Sequence, residues 1–173
     1  MWCRDSGAVG VKPFEFEERK RISLALSANI AVRSKPRNER GLFALSAVVQ
    51  DEVLLTYDGP VLNHPTRLSI QIDDDRHIEG TDDSNAYLNH SCDANAYVDW
   101  TALCLRAKRG ISAGEEITCN YFTTDYELHE KFRCTCSSKN CKGEIGGFKY
   151  LSDAEKEELR PWLPPFLLRK MIR

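Results

Sequence analysis

Three cysteines crowd one short run, Cys134-Thr135-Cys136-Ser137-Ser138-Lys139-Asn140-Cys141. Thiolates spaced C-x-C-x4-C form a metal clamp short of one ligand, because structural zinc takes four protein ligands in a closed tetrahedron. The fourth must come from elsewhere in the chain. Cys92, which closes Asn89-His90-Ser91-Cys92, is the best candidate, a softer ligand than the neighbouring His90. A structural Zn²⁺ on Cys92, Cys134, Cys136 and Cys141 would tie the C-terminal third of the chain to a polar turn in its middle, and would organise a site between them. The seven cysteines are odd in number, their spacing is clustered, and the first ten residues lack the charged-then-apolar pattern of a secretion signal. These features favour metal over disulfides and an intracellular setting, cytoplasmic or nuclear. Cys3, Cys104 and Cys119 read as small buried hydrophobes or free thiols.

Other candidate groups carry plainer readings. Glu115 and Glu116 could pass for a paired-carboxylate acid/base site, but adjacent residues on a strand point to opposite faces, so a turn-and-strand role is expected. His64, His77 and His129 have no partner pattern and read as surface or packing histidines. Tyr121, taken alone, is a core tyrosine whose hydroxyl finds a backbone carbonyl. Tyr57, before Asp58-Gly59, is equally a strand end.

The elements that must position these groups are short. Apolar residues alternate over 22–32, at Ile22, Leu24, Leu26, Ala28, Ile30 and Val32, the period of a half-buried strand. Residues 34–40 are polar and read as a loop. Apolar runs follow at 42–49, 53–57, 68–72, 103–107 and 116–119, with turns at Asp58-Gly59-Pro60, Asp73-Asp74-Asp75, 80–84 and Ser112-Ala113-Gly114. Many short strands at close spacing predict a mainly β domain. Ser152-Asp153-Ala154-Glu155 is a capping-box pattern that opens a helix to about residue 160, where Pro161 stops it. Pro164-Pro165 precede a second short helix.

The 173 residues suffice for one domain with a real core. Apolar content of 42% and charged content of 29% are those of an ordinary globular chain. A net charge of −2 argues against a dedicated nucleic-acid binder, and no apolar run reaches the length of a membrane span.

Four ordered landmarks resemble those of the SET-domain family of protein-lysine methyltransferases. Arg40-Gly41-Leu42-Phe43-Ala44 resembles its first cofactor-binding loop, and Tyr57-Asp58-Gly59 its Tyr-x-Gly segment. Asn89-His90-Ser91-Cys92-Asp93-Ala94-Asn95 is similar to its N-H-S-C-x-P-N signature, and Gly114-Glu115-Glu116-Ile117-Thr118-Cys119-Asn120-Tyr121 to its G-E-E-L-T-x-D-Y signature. The cysteine run then falls where the family's zinc-binding post-SET segment belongs. Glu39, Ala94, Ala86-Tyr87 and Asn120 depart from the usual residues. The resemblance implies a SET domain over 20–124, a post-SET zinc segment over 125–148 and a helical tail over 149–173. It implies a fold of small β-sheets around a knot-like core, in which the segment after Tyr121 passes the Asn89–Cys92 turn.

The resemblance further implies an S-adenosyl-L-methionine-dependent enzyme acting on a protein lysine, such as that of a histone tail. Tyr121 and Tyr57 would be its catalytic residues. Arg40, Gly41, Leu42, Tyr87, Asn89, His90 and Phe132 would bind the cofactor, with Phe132 or Phe148 stacking on adenine. The chemistry is coherent. A lysine amine, with a pKa of about 10.4, is a poor nucleophile while protonated. A narrow apolar channel and the sulfonium charge both favour its neutral form, and a tyrosine hydroxyl orients the lone pair for in-line attack. Such transfer needs no metal, which gives the zinc a structural role. A rival function is a catalytically silent SET-like module, held by zinc, that binds a protein partner. A second rival keeps the enzyme but gives it a non-histone protein or a small amine as acceptor.

Overall fold

The alternation that predicts a first strand continues into β1 (Ile30–Ser34), where Ile30 is buried and Val32 packs on the same core. The computed structural model describes residues 29–36, 39–80 and 85–172; the expected strand residues 22–28, Cys3 and the turn after Gly80 lie outside them. Five Cα pairs join β1 to the antiparallel β2 (Arg40–Ala44), from Ile30 with Ala44 to Ser34 with Arg40. β2 ends at Ala44, sooner than the apolar run to Val49 predicts. Leu45 and Val49 are exposed, and Val48 alone turns inward, bridged to Ile111.

The remaining strands are β3 (Val53–Thr56), β4 (Val61–Leu62), β5 (Ser69–Asp73), β6 (Arg76–Glu79), β7 (Asn89–His90), β8 (Ala96–Asp99), β9 (Cys104–Ala107), β10 (Glu116–Cys119), β11 (Phe132–Arg133) and β12 (Glu144–Ile145). They make four small sheets, in the orders β1-β2-β10-β7, β3-β9-β8, β4-β6-β5 and β11-β12. The mainly β expectation holds. β4, β6, β7, β8, β11 and β12 are additions to it, because two to four residues are too few to display a period. The Asp73-Asp74-Asp75 turn joins β5 to β6 as a hairpin.

Two apolar clusters hold the described residues together. The larger joins the sheets through Leu42, Leu54, Leu105, Ile111 and Ile117. The smaller packs Phe122, Ile145 and Phe148 under the C-terminal residues Leu163, Phe166 and Leu167. Helix α1 (Asp153–Leu159) opens on the expected capping box, with Ser152 accepting from the Glu155 N–H and Glu155 reaching back to the Ser152 N–H. Pro164 and Pro165 begin α2 (Pro165–Lys170), whose Phe166 and Leu167 close the smaller core.

Candidate active site and metal centre

β10 is the strand that assembles the site. Its alternation buries Ile117 and Cys119 and turns Glu116 and Thr118 the other way. It pairs antiparallel with β2 and parallel with β7, with Thr118 opposite Asn89 and Cys119 opposite His90. The expected polar turn at Asn89 is therefore a short strand laid beside the Gly-Glu-Glu motif. Where β10 ends, Asn120 accepts the Phe122 N–H at 3.1 Å and caps a 3-10 turn over Tyr121–Thr123.

Tyr121 is fixed at both ends. Its backbone N–H donates to His90 Nδ1 at 3.1 Å, and its hydroxyl donates to the Leu88 carbonyl at 2.5 Å. The plain reading of a core tyrosine bonded to a carbonyl is thus satisfied, yet the same side chain lines a cavity of about 1080 Å³. Burial pushes its hydroxyl pKa far up, so it stays a neutral donor. An imidazole that accepts on Nδ1 carries its proton on Nε2. In His90 that nitrogen lies 3.3 Å from Cys92 Sγ. Burial pulls the His90 pKa down to about 4, which keeps the ring neutral.

The four predicted ligands converge. The sulfurs of Cys92, Cys134, Cys136 and Cys141 lie within 4.8 Å of one another, and Cys92 and Cys134 are 4.0 Å apart. Tetrahedral zinc with Zn–S bonds of about 2.3 Å needs sulfurs about 3.8 Å apart, so the cluster could hold a metal ion. The β11–β12 hairpin supplies three of the ligands. Backbone N–H groups aim at two sulfurs, Lys142 at Cys92 (3.4 Å) and Cys136 at Cys134 (3.5 Å), which suits thiolates. Cys104 and Cys119 are free and buried, as expected.

The cavity wall gathers Arg40, Tyr57, Tyr87, Asn89, His90, Tyr121 and Phe132. The Arg40 guanidinium donates to the Tyr87 hydroxyl at 3.0 Å and stands over its ring. The Phe132 ring meets those of His90 and Tyr121 edge-on, each at 6.0 Å. Phe148 is 1% exposed in the smaller core and stands away from that wall, so Phe132 is the ring left for stacking. Leu42 is fully buried in the larger core, and neither it nor Gly41 lines the cavity. Tyr57 reaches the cavity from the end of β3; its hydroxyl is buried without a hydrogen-bond partner among the described residues.

The two glutamates serve opposite sides. Glu115 pairs with Arg109 and accepts from Asn95. Glu116 takes an ion pair from Lys35 at 2.7 Å and a hydrogen bond from the Asn89 amide at 2.8 Å, while the same amide donates to the Arg40 carbonyl at 2.8 Å. Gly41 sits beneath this cluster: a Cβ there would stand 2.4 Å from Glu116 Oε1 and 3.1 Å from Asn89 Nδ2. Sequence reasoning missed Lys35 and its pairing. The signal for Glu116 was the strand parity that sets it apart from Glu115; Lys35 offered none.

Residues 39–122 match the SET domain family. A histone-lysine N-methyltransferase, H3 lysine-36 specific, from Gibberella zeae is 30% identical over 153 residues, covering 75% of this chain and 16% of that protein. Methyltransferase flvH from Aspergillus flavus is 37% identical over 82 residues, covering 46% of this chain and 44% of its own. The structure of KRYPTONITE in complex with mCHH DNA, an H3(1-15) peptide and SAH superposes with a TM-score of 0.57 at 20% identity, over 70% of this chain and 30% of that one. The chain belongs to the SET-domain family and has its fold. It spans about a sixth of the length of the H3 lysine-36 relatives it matches.

Proposed function

We propose that this chain is an S-adenosyl-L-methionine-dependent protein-lysine N-methyltransferase. The observation that carries the reading is Tyr121, held by Leu88 and His90 with its ring in the wall of a large cavity. S-adenosyl-L-methionine brings the methyl group as a sulfonium. Arg40, Tyr87, Asn89, His90 and Phe132 offer the cation, amide and rings that its carboxylate, amine and adenine require. Tyr121 and Tyr57 flank the place of transfer and orient the acceptor amine. Gly41 shapes the loop from behind, and Leu42 anchors it in the core. Zn²⁺ on Cys92, Cys134, Cys136 and Cys141 is structural and holds residues 125–148 against the SET domain over 20–124, with 149–173 as a helical tail.

The acceptor is a histone tail lysine, and the setting nuclear. The support is the H3 named for the matched relatives and the H3 peptide bound by the structural neighbour. DNA accompanies that peptide, so contact with nucleic acid becomes a matter for the assay despite the chain's slight negative charge. No helix of the described residues is long and apolar enough to cross a membrane. Incubation with labelled S-adenosyl-L-methionine and H3, as free protein and as nucleosomes, tests the reading. Calorimetry with the cofactor separates it from the silent module: absence of binding sinks the enzyme.

A second reading keeps the enzyme and changes the acceptor. The match to methyltransferase flvH, 37% identical over a shorter stretch, carries a name that gives no acceptor, so a non-histone protein or a small amine stands as the alternative. A lysate screen with labelled cofactor, resolved into protein and small-molecule fractions, decides between them.

A further inference from the structure

Beside Tyr121 the cavity wall carries a carboxylate without an assigned task. Asp125 is 7% exposed and lines the cavity with Tyr57, Cys119 and Tyr121. Its Oδ1 accepts the Gln71 N–H at 3.0 Å and its Oδ2 accepts the Thr124 hydroxyl at 2.7 Å. A carboxylate offers about four acceptor sites, so both oxygens retain capacity. Its backbone is pinned as well, since its carbonyl accepts the Phe148 N–H at 2.9 Å. Among the described residues no cation pairs with it.

A purely structural strap does not explain this charge. Asparagine has the same shape, could accept the Gln71 N–H and meet the Thr124 hydroxyl, and would bury no anion. Burying an uncompensated carboxylate is costly. Its neighbours make the imbalance sharper. The Tyr57 hydroxyl is buried with no hydrogen-bond partner among the described residues, and Cys119 is 1% exposed. Tyr57, Cys119 and Tyr121 are the titratable groups that feel Asp125, and all three are neutral acids pushed upward by burial. These four groups are therefore one anion, two hydroxyls and a thiol, and the cations of the wider cavity wall, Arg40, Arg67 and Lys131 among them, make no ion pair with Asp125 among the described residues. A lysine ammonium is the cation that methyl transfer brings there.

We propose that Asp125 takes the proton that the acceptor ammonium must lose before methyl transfer, an inference that rests on the lysine-methylation reading above. The step balances. The amine N–H bond breaks, its electron pair stays on nitrogen, and the proton forms an O–H bond on Asp125. The neutral amine then takes the methyl group from the sulfonium, which leaves as a thioether, and the product is a methylated ammonium. Asp125 returns its proton to solvent between turnovers. Burial supports the role by lifting the Asp125 pKa from 3.8 to about 6, closer to the amine's solution value of about 10.4.

The experiment is a pH–rate profile of kcat/KM on a lysine peptide for the wild type and Asp125→Asn, from pH 5 to 10. The wild type is expected to lose activity below about pH 6 and to stay level above it. Asp125→Asn is expected to be down by about 10³-fold at pH 7 and to climb about tenfold per pH unit, meeting the wild type near pH 10. A peptide with S-aminoethylcysteine in place of lysine, whose amine is more acidic, should rescue the variant more than the wild type. His129 and Glu130 on the cavity wall, and Arg67, whose charge reaches Tyr121, are common to both proteins and cancel in the comparison. Parallel profiles with no rescue would overturn the proposal. Should Asp125→Asn fail to fold, Thr124→Val keeps the carboxylate and removes one hydrogen bond that holds its pKa down; the acid limb must then move up, and an unmoved limb overturns the proposal. A wild type that binds cofactor yet methylates no lysine at any pH defeats the parent reading instead, and this one with it.

Discussion

His90 stands between Tyr121 and Cys92: its Nδ1 accepts the Tyr121 backbone N–H at 3.1 Å, and its Nε2 lies 3.3 Å from the Cys92 sulfur. One ring thus joins the residue proposed to orient the acceptor to the thiol proposed to hold zinc. The second nitrogen of a group beside a metal fixes its tautomer and direction. Here the metal cluster would hold the backbone of Tyr121 through a single neutral imidazole.

Zinc removal is the direct test of that link. The protein is expected to hold one Zn²⁺ per chain with Zn–S distances of about 2.3 Å, measured by elemental analysis and X-ray absorption. Chelation should free the β11–β12 hairpin, which carries Phe132 at the cavity wall, and weaken cofactor affinity by calorimetry. A metal-free preparation of full activity sinks both the zinc and its coupling to Tyr121.

Tyr121→Phe deletes one hydroxyl and keeps the ring against Phe132 and His90. Leu88 loses a hydrogen bond, so a small fall in Tm is expected, about 1 kcal/mol in stability. Cofactor binding should stay near wild type while kcat falls about 100-fold. Unchanged turnover would remove Tyr121 from the chemistry and leave it the core tyrosine that its carbonyl partner alone implies.

Gly41→Ala probes the other wall. The new Cβ would overlap Glu116 Oε1 and crowd Lys35 and the Asn89 amide. Overpacking of this kind costs about 1–3 kcal/mol, and relief requires Glu116 to leave Lys35 or Asn89. Thermal melting should fall and cofactor Kd should rise together. A variant with wild-type Tm would mean that the Lys35–Glu116–Asn89 cluster yields without cost.

Asp125 gives a prediction of opposite sign for stability. Its folded pKa of about 6 lies above the ordinary 3.8, so the folded state binds its proton more tightly than the unfolded state. That contribution is complete below about pH 4 and is lost as pH rises through 6. At pH 7 and above the buried charge therefore destabilises the fold, by up to about 3 kcal/mol for two pKa units. Asp125→Asn should raise Tm at pH 8 and lose its advantage below pH 4. A gain in stability with a loss of turnover marks a residue kept for function.

Legibility in the sequence followed chemistry and spacing rather than burial. The cysteine run and Cys92 named the cluster because thiolates at those intervals have few other uses, and the four sulfurs do converge. The Ser152–Glu155 box gave α1 because capping is local. β10 was legible from alternation, and with it the separate roles of Glu115 and Glu116. β6 and β8 were not, because four residues are too few to display a period, even though their hairpin partners β5 and β9 lie one short turn away. Phe132 and Phe148 were indistinguishable as sequence; only packing put the second of them in the core. Asp125 carried no signal, because a lone aspartate reads as solvated until the fold buries it.

Cys119 is expected to set how many methyl groups the acceptor receives. It lies two residues before Tyr121, where SET relatives often carry Phe or Tyr beside the lysine channel, a tyrosine hydroxyl holding a water or the amine and limiting the product to monomethyl-lysine. The thiol is buried in the cavity wall between the groups it must influence, since its charge state would be felt at both Tyr57 and Tyr121. It is smaller than either ring and a weak hydrogen-bond partner, and burial pushes its pKa up to about 12, so it stays neutral. It therefore neither crowds a dimethylated amine that must rotate to present its lone pair nor fixes a water in its path. Tyr87 is engaged with Arg40, and Tyr97 stacks on Trp162 and donates to Asp51, so neither is available to fill the gap. The Tyr57 hydroxyl is a nearby donor that has no hydrogen-bond partner among the described residues. The wild type is expected to reach di- or trimethyl-lysine with excess cofactor. Cys119→Tyr should shift the product toward monomethyl-lysine, and Tyr57→Phe combined with it should restore part of the higher states. Mass spectrometry of product at long reaction times reads all three, and a wild-type reaction that halts at one methyl group ends the argument for Cys119.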